Sequence, residues 1–199
     1  MSSLVVLLAS NVIALAIAWR YGMSLRDLMT VYWIQSLVIG ATNAVRLVGI
    51  GWQEWRHVPW REWELGENPL GQKTLYALFF VAHYGIFHLV YAIGIDGIPG
   101  ALASDDAYLA CAAVFALNHG YSLILNLRRD AVYRPKAGVV MVLPYARIIP
   151  MHLTLILGVH YAGAAAFFFF AGLKILADIA MHLVERRVLG PGKAATGVL

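Results

Sequence analysis

Residues 73–95 read KTLYALFFVAHYGIFHLVYAIGI. Apart from Lys73 and two histidines, the stretch consists of aliphatic and aromatic residues, alanine, glycine and one threonine. A helix needs about 20 such residues to cross the hydrocarbon of a bilayer. The stretch therefore predicts a transmembrane helix. It also carries His83 and His88, two polar side chains that a simple membrane anchor does not need.

Five further stretches have the same apolar character, and they predict the other transmembrane helices: Leu4 to Trp19, Leu28 to Ile50, Ala107 to Leu127, Ile148 to Tyr161 and Ala164 to Val184. The chain is 61% hydrophobic and 13% charged, with a mean hydropathy of +0.71. A soluble domain of this composition would lack the polar surface that it needs. We predict an all-α integral membrane bundle of about six transmembrane helices, with residues 1–189 as one domain and residues 190–199 as a flexible tail.

The segment Gly51 to Gln72 is too polar to cross a membrane and is rich in tryptophan. On a helix, Trp52, Trp55, Trp60 and Trp63 would share one face, so the segment predicts an amphipathic piece at the membrane interface. Between the fourth and fifth spans lies a basic connection in which Pro135 and Pro144 are expected to break helices. The fifth helix is accordingly predicted to start at Pro144 to Arg147, at the interface.

The basic residues lie mainly in the connections after the second and fourth spans and in the C-terminal tail. The connection after the third span carries only acidic charges, those of Asp96, Asp105 and Asp106. Lys and Arg collect on the cytoplasmic side of membrane proteins, so both termini are predicted to be cytoplasmic, in the inner cell membrane. The net charge of +4 is thus attributed to orientation, and no nucleic acid is expected as a partner. Arg46, near the end of the second span, is expected to snorkel.

Every histidine except His57 falls within a predicted span, together with Lys174 and Asp178. An ionisable group in mid-membrane costs roughly 2.5 to 3.5 kcal/mol unless it is neutralised or paired, so a shared polar interior is expected. Counting along each span at about 1.5 Å per residue places four of these groups near the midplane on four different helices, with His182 one turn deeper: His83, His119, His152 and Asp178. His83 and His88 are about 140° apart on a regular helix, so they cannot both face one centre unless Gly85 hosts a bulge or the site is wide.

Three interpretations of these groups remain open. The first is a metal site, with zinc as the expected ion and His83, His88, His119, His152, Asp178 and His182 as the candidate ligands. Its bound water could hydrolyse a lipid-like substrate, with Asp178 as the catalytic base and Lys174 or Arg147 near the anionic head group. The second is haem held by His83 with His119 or His152. The third is a non-enzymatic subunit or solute carrier whose histidines form hydrogen bonds between helices.

Several short strings also point to a family. They are Phe79-Phe80 with His83-Tyr84-Gly85 and Phe87-His88, Asn118-His119 with Ser122, Pro144-Tyr145 with Arg147-Ile148 and His152, and finally Lys174, Asp178 and His182. Together they resemble a family of prokaryotic multi-span membrane proteins known only as a domain of unknown function. The resemblance covers nearly the whole chain and implies histidines in the same order along the spans. It also implies an acidic residue in the basic connection, near Asp130, and it implies no reaction. Membrane lipids are expected as partners, and the oligomeric state and any partner subunits stay undetermined.

Overall fold

The computed structural model describes residues 3–51, 69–98, 102–158 and 164–189, and these form six helices. The helices are α1 (Ser3–Arg20), α2 (Leu25–Gly49), α3 (Pro69–Asp96), α4 (Asp105–Tyr133), α5 (Ala137–Gly158) and α6 (Ala164–Leu189). The predicted all-α class is confirmed. Within the described ranges, four helices are long and apolar enough to cross a membrane, and α1 and α5 contain shorter apolar stretches. The count of six spans therefore stays a prediction. The four tryptophans of the Trp-rich segment, His57 and the C-terminal tail lie outside the described residues, whereas the end of that segment, from Pro69, is the start of α3.

Helix α2 forms the centre of the bundle. It packs against α3, α4, α5 and α6, whereas α1 lies on the outside of α4 and α6. Half of the membrane-length part of α2 is buried, a larger share than in the other three long helices. Its interior-facing residues include Gln35, Ser36 and Asn43, so the centre of the bundle is polar as well as apolar.

The start of α2 is fixed by a capping box. The Ser24 hydroxyl accepts the backbone N–H of Asp27, and the Asp27 carboxylate accepts the backbone N–H of Ser24, which satisfies two amide groups that a helix start leaves without partners. The same carboxylate accepts the backbone N–H of Ala103 and the hydroxyl of Tyr108. One aspartate thus joins the starts of α2 and α4.

Helices α2 and α3 approach closely at Gly40. A β-carbon on Gly40 would lie 2.6 Å from a ring carbon of Tyr84, so only glycine fits at this crossing without displacing the ring. The Tyr84 hydroxyl lies 2.8 Å from the Ser36 hydroxyl, one turn earlier on α2. Small residues that allow close approach and hydroxyls that bond across helices are typical of membrane helix pairs.

The boundary between the fourth and fifth helices differs from the prediction. Helix α4 extends to Tyr133, and α5 begins at Ala137, well before the predicted start of the fifth span. Between α4 and α5 the chain turns at Arg134, which has a left-handed conformation with φ of 46° and is followed by Pro135. Pro144 is buried within α5, so the prediction that it breaks the helix was wrong. A proline inside a membrane helix is tolerated where neighbouring groups compensate for the lost hydrogen bond.

Candidate functional site

Among the described residues, the structure contains no group of three or more His, Cys, Asp or Glu side chains that could hold a metal ion. All six candidate ligands are described residues: His83, His88, His119, His152, Asp178 and His182. The structure therefore does not support the prediction that these side chains converge on one metal centre near the midplane. Equal depth in the membrane does not bring side chains together, because it does not fix the direction in which each helix points them.

His83 and His152 lie on the outer face of the bundle, between α3 and α5. His83 Nδ1 lies 2.8 Å from the Tyr145 hydroxyl on α5. In the reverse sense, His152 Nδ1 on α5 lies 3.4 Å from the Tyr91 hydroxyl on α3. The two histidines thus form a pair of reciprocal histidine–tyrosine contacts between parallel helices, of the kind that the third interpretation describes.

His88 is buried and faces α2, whereas His83 is exposed, as the angle between them predicts. The Nδ1–H of His88 donates to the backbone carbonyl of Tyr84 at 2.8 Å. Its own backbone carbonyl accepts the indole N–H of Trp33 at 2.9 Å. His88 therefore contributes to the packing of α3 on α2.

Asp178 belongs to a buried ion pair on α6. Its Oδ2 lies 2.6 Å from the Lys174 ammonium one turn earlier and accepts the side-chain amide of Asn11 on α1 at 3.0 Å. The ammonium also lies 4.7 Å from the centre of the Tyr32 ring on α2, close enough for a cation–π interaction. The predicted role of Asp178 as a metal ligand or catalytic base is not supported by this position, because its Oδ2 is paired with Lys174 and no group of potential metal ligands surrounds it among the described residues. Its Oδ1 is buried without a hydrogen-bond partner in the described part of the chain.

A second buried ion pair joins α2 to α4. The Arg46 guanidinium donates to both carboxylate oxygens of Asp130, with Nη2 at 3.0 Å from Oδ1. Both side chains are less than a tenth exposed. The expectation that Arg46 snorkels to the membrane surface was wrong, because Asp130 lies on α4 within reach of it. A bidentate pair of this geometry fixes the guanidinium plane as well as its charge.

Next to this pair lies a cavity of about 310 Å³. Helices α1, α2, α4, α5 and α6 contribute to its wall, near the end of the bundle where α2, α4 and α6 end and α5 begins. We call this end the arginine end, because three arginines of three helices line the cavity: Arg46 of α2, Arg129 of α4 and Arg147 of α5. No acidic side chain is among the described residues that line it.

The other polar lining residues are donors or amphoteric groups: Thr42, Asn43, Asn118, His119, Ser122, Asn126 and His182. His119 is buried, and its Nε2 lies 3.3 Å from the side-chain nitrogen of Gln35 on α2. Asn118 donates to the hydroxyl of Ser10 on α1 at 3.1 Å. Of the six predicted site residues, the cavity thus brings together His119 and His182 but not the other four.

Sequence reasoning anticipated Arg147 as a residue near an anionic group, but it missed Arg46 and Arg129. Arg46 was expected to snorkel, and Arg129 was counted among the basic residues of the connection that sets the membrane orientation. A signal for Arg46 was nevertheless present. An arginine inside a span and a lone acid among basic residues, Asp130, are each unexpected, and pairing them explains both.

The comparisons place the chain in a family without supplying a reaction. No curated protein and no solved structure matches this chain. A family model matches residues 1–194, which is nearly the whole chain and includes every helix described above. That the family is prokaryotic and multi-span, with histidines in the same order, stays a prediction. The predicted resemblance to a domain of unknown function is confirmed, and the chain belongs to the family of unknown function DUF6498.

Proposed function

We propose that this membrane protein binds an oxyanion, a phosphate-like or carboxylate group, in the cavity at the arginine end. The observation that carries the proposal is the convergence of Arg46, Arg129 and Arg147 on one cavity from three different helices. Asp130 pairs with Arg46, and its Oδ1 lies 3.9 Å from Nε of Arg129, so a bound oxyanion would share these two guanidinium groups with that carboxylate. Guanidinium groups bind carboxylate and phosphate through parallel N–H donors, and they keep their charge at any physiological pH.

The rest of the lining supports the same chemistry. The amides of Asn43, Asn118 and Asn126 and the hydroxyls of Thr42 and Ser122 can donate hydrogen bonds to oxygen atoms.

The proposal replaces the predicted metal chemistry. Metal-dependent hydrolysis of a lipid-like substrate has no support among the described residues, because the candidate ligands point to different places in the bundle. Zinc and haem stay predictions of the sequence. Binding without catalysis agrees with the other sequence interpretation, a non-enzymatic membrane subunit or a carrier of a polar solute.

The test is anion binding by the detergent-purified protein. Inorganic phosphate should raise the melting temperature at matched ionic strength, whereas chloride should not. At a concentration about 100 times the Kd, the stabilisation should be about 2.7 kcal/mol. Arg147→Gln should weaken phosphate binding about tenfold or more, because it removes a charged hydrogen-bond donor.

Arg20→Gln is the matched control, since Arg20 is exposed at the end of α1 and does not line the cavity. This variant loses the same charge and should bind phosphate as the wild type does. Equal stabilisation by phosphate and chloride, or equal binding by the two variants, would contradict the proposed site.

A further inference from the structure

A second, smaller cavity lies between α2, α5 and α6. Its volume is about 10 Å³, and its lining includes Gln35 of α2, Arg147 and Met151 of α5, and Phe170 and Lys174 of α6. A cavity that holds one water molecule needs roughly 10 to 15 Å³ and two to four polar partners. The size and the polar lining of this cavity therefore fit a single water molecule.

Gln35 supplies an acceptor that the described part of the chain does not use. The side chain is fully buried, and its nitrogen lies 3.3 Å from Nε2 of His119, whereas its Oε1 has no hydrogen-bond partner among the described residues. The hydroxyl of Tyr32, which also lines this cavity, is likewise buried without a partner in the described ranges. A buried polar atom without a hydrogen bond costs free energy, and ordered water commonly supplies the missing bond.

Two cationic side chains line the same small space. The ammonium of Lys174 has three N–H donors, of which Asp178 Oδ2 accepts one, and Arg147 brings a guanidinium from α5. Like charges repel each other more strongly in a protein interior than in water. A water oxygen that accepts from both cations reduces this repulsion, and its two hydrogens stay available for acceptors such as the Gln35 oxygen.

The small cavity adjoins the larger one at the arginine end. Ile39 and Arg147 line both cavities, so only these side chains of α2 and α5 are shared between the two spaces. Water can therefore reach the small cavity from the arginine end by movement of side chains, without separation of the helices.

We propose that the small cavity is a binding site for one water molecule, which donates to Oε1 of Gln35 and accepts hydrogen bonds from Lys174 and Arg147. The water joins α2 to α5 and α6 in the interior of the bundle. This inference goes beyond the proposed oxyanion site, because it concerns a separate cavity and a different ligand. It stands whether or not an anion binds to Arg147.

Hydroxyl-radical footprinting with short X-ray pulses tests the site in the detergent-purified protein. The pulse converts bound water into hydroxyl radical where the water is bound, so neighbouring side chains are oxidised even when they are shielded from bulk solvent. Met151 and Phe170 line the cavity and are only 4% and 0% exposed, and both should be oxidised. Met29 and Phe80 are the matched controls, because both are fully buried and line neither cavity, and they should stay unmodified. Mass spectrometry of peptides measures the four rates.

A pair of variants then tests the acceptor. Gln35→Leu removes the amide oxygen, so the water and the oxidation of Phe170 should both be lost. Asn11→Leu is the matched control, because Asn11 is 1% exposed, donates a buried amide hydrogen bond to Asp178 on another helix and lines neither cavity. This variant loses a buried interhelical hydrogen bond too, but it should oxidise at Phe170 as the wild type does.

The wild-type comparison decides the proposal even if a variant fails to fold. Oxidation of Met151 and Phe170 at the rates of Met29 and Phe80 would overturn it. Oxidation of Phe170 that persists unchanged in Gln35→Leu would also overturn it. Equal loss in Asn11→Leu would have the same meaning, because the loss would then follow from helix packing and not from the missing acceptor.

Discussion

At the residue scale, the buried ion pair of Lys174 and Asp178 carries a large desolvation cost. Removing two charges from water costs several kcal/mol for each ion, and the mutual attraction offsets that cost only where the remaining hydrogen-bonding capacity is also used. Here Asn11 donates to Oδ2 of the carboxylate and the Tyr32 ring lies against the ammonium, whereas Oδ1 is buried without a hydrogen-bond partner among the described residues. The pair therefore links α6 to α1 and α2, and each member stabilises the other in a place where neither could remain charged alone.

This arrangement predicts a specific pattern of stability. Asp178→Leu should lower the free energy of unfolding by about 3 to 5 kcal/mol, because it leaves an ammonium buried without its counter-ion. Lys174→Met combined with Asp178→Leu should recover most of that loss, because the double variant buries no charge. Unfolding of all variants in one detergent, analysed as a double-mutant cycle, measures the coupling. If the double variant were as unstable as the sum of the two single variants, the two groups would not act as a pair.

At the element scale, α2 organises the bundle because it contacts four other helices. Polar and small residues at successive turns of α2 make contacts with the neighbouring helices. Ser36 and Gly40 receive Tyr84 of α3, and Arg46 pairs with Asp130 of α4. A membrane helix gains little from burying leucine in protein rather than in lipid, so close packing and interhelical hydrogen bonds carry the association. This is why the central helix is the one with the most polar residues on its buried side.

The crossing of α2 and α3 gives a prediction at this scale. Gly40→Ala should destabilise the protein by about 1 to 3 kcal/mol, because the added methyl group overlaps the buried ring of Tyr84 and the ring must shift. Gly172→Ala on α6 is the matched control, since a β-carbon there meets no atom within 4 Å. Thermal unfolding followed by size-exclusion fluorescence compares the two. A melting temperature that falls equally in both variants would show that the loss of glycine, and not the crossing, is responsible.

At the scale of the whole molecule, the first and last helices have their outer ends on the same side. Leu7 near the start of α1 and His182 near the end of α6 line the same cavity at the arginine end. Arg26 of α2 pairs with Asp96 of α3 at the other end of the bundle. Six helices that alternate in direction place both termini together, and the excess of Lys and Arg at the arginine end predicts that this side is cytoplasmic.

Reporter fusions test this topology. A reporter at the C-terminus should be active on the cytoplasmic side, and one inserted beside Asp105, at the start of α4, should be active on the outer side. The reason is that an odd number of crossings separates the two positions in a six-span chain. Reporters on the same side would contradict six spans. Reversed activities would keep the span count and contradict the orientation.

The sequence by itself determined the class of protein, the family and the approximate place of every helix. These follow from composition and from long apolar stretches, and a bilayer permits few structures for such stretches because each backbone amide must be bonded within its own helix. The sequence also showed that ionisable residues such as Lys174 and Asp178 must find partners in the interior. It did not determine which partners, because depth along a span is read from residue numbers while direction depends on how each helix is rotated.

Only the tertiary structure decided where the polar side chains meet. It separated His83, His88 and His152 into hydrogen bonds of their own, and it left His119 and His182 beside a cavity lined by arginines. In the structure, α4 ends later and α5 begins earlier than predicted. Arg129 and Arg147 therefore lie on these helices and line the same cavity. The physical reason is that α2 brings helices together that are distant in the chain. Arg46 and Asp130 are each unexpected in their own segment, but neither segment by itself shows that the two side chains meet.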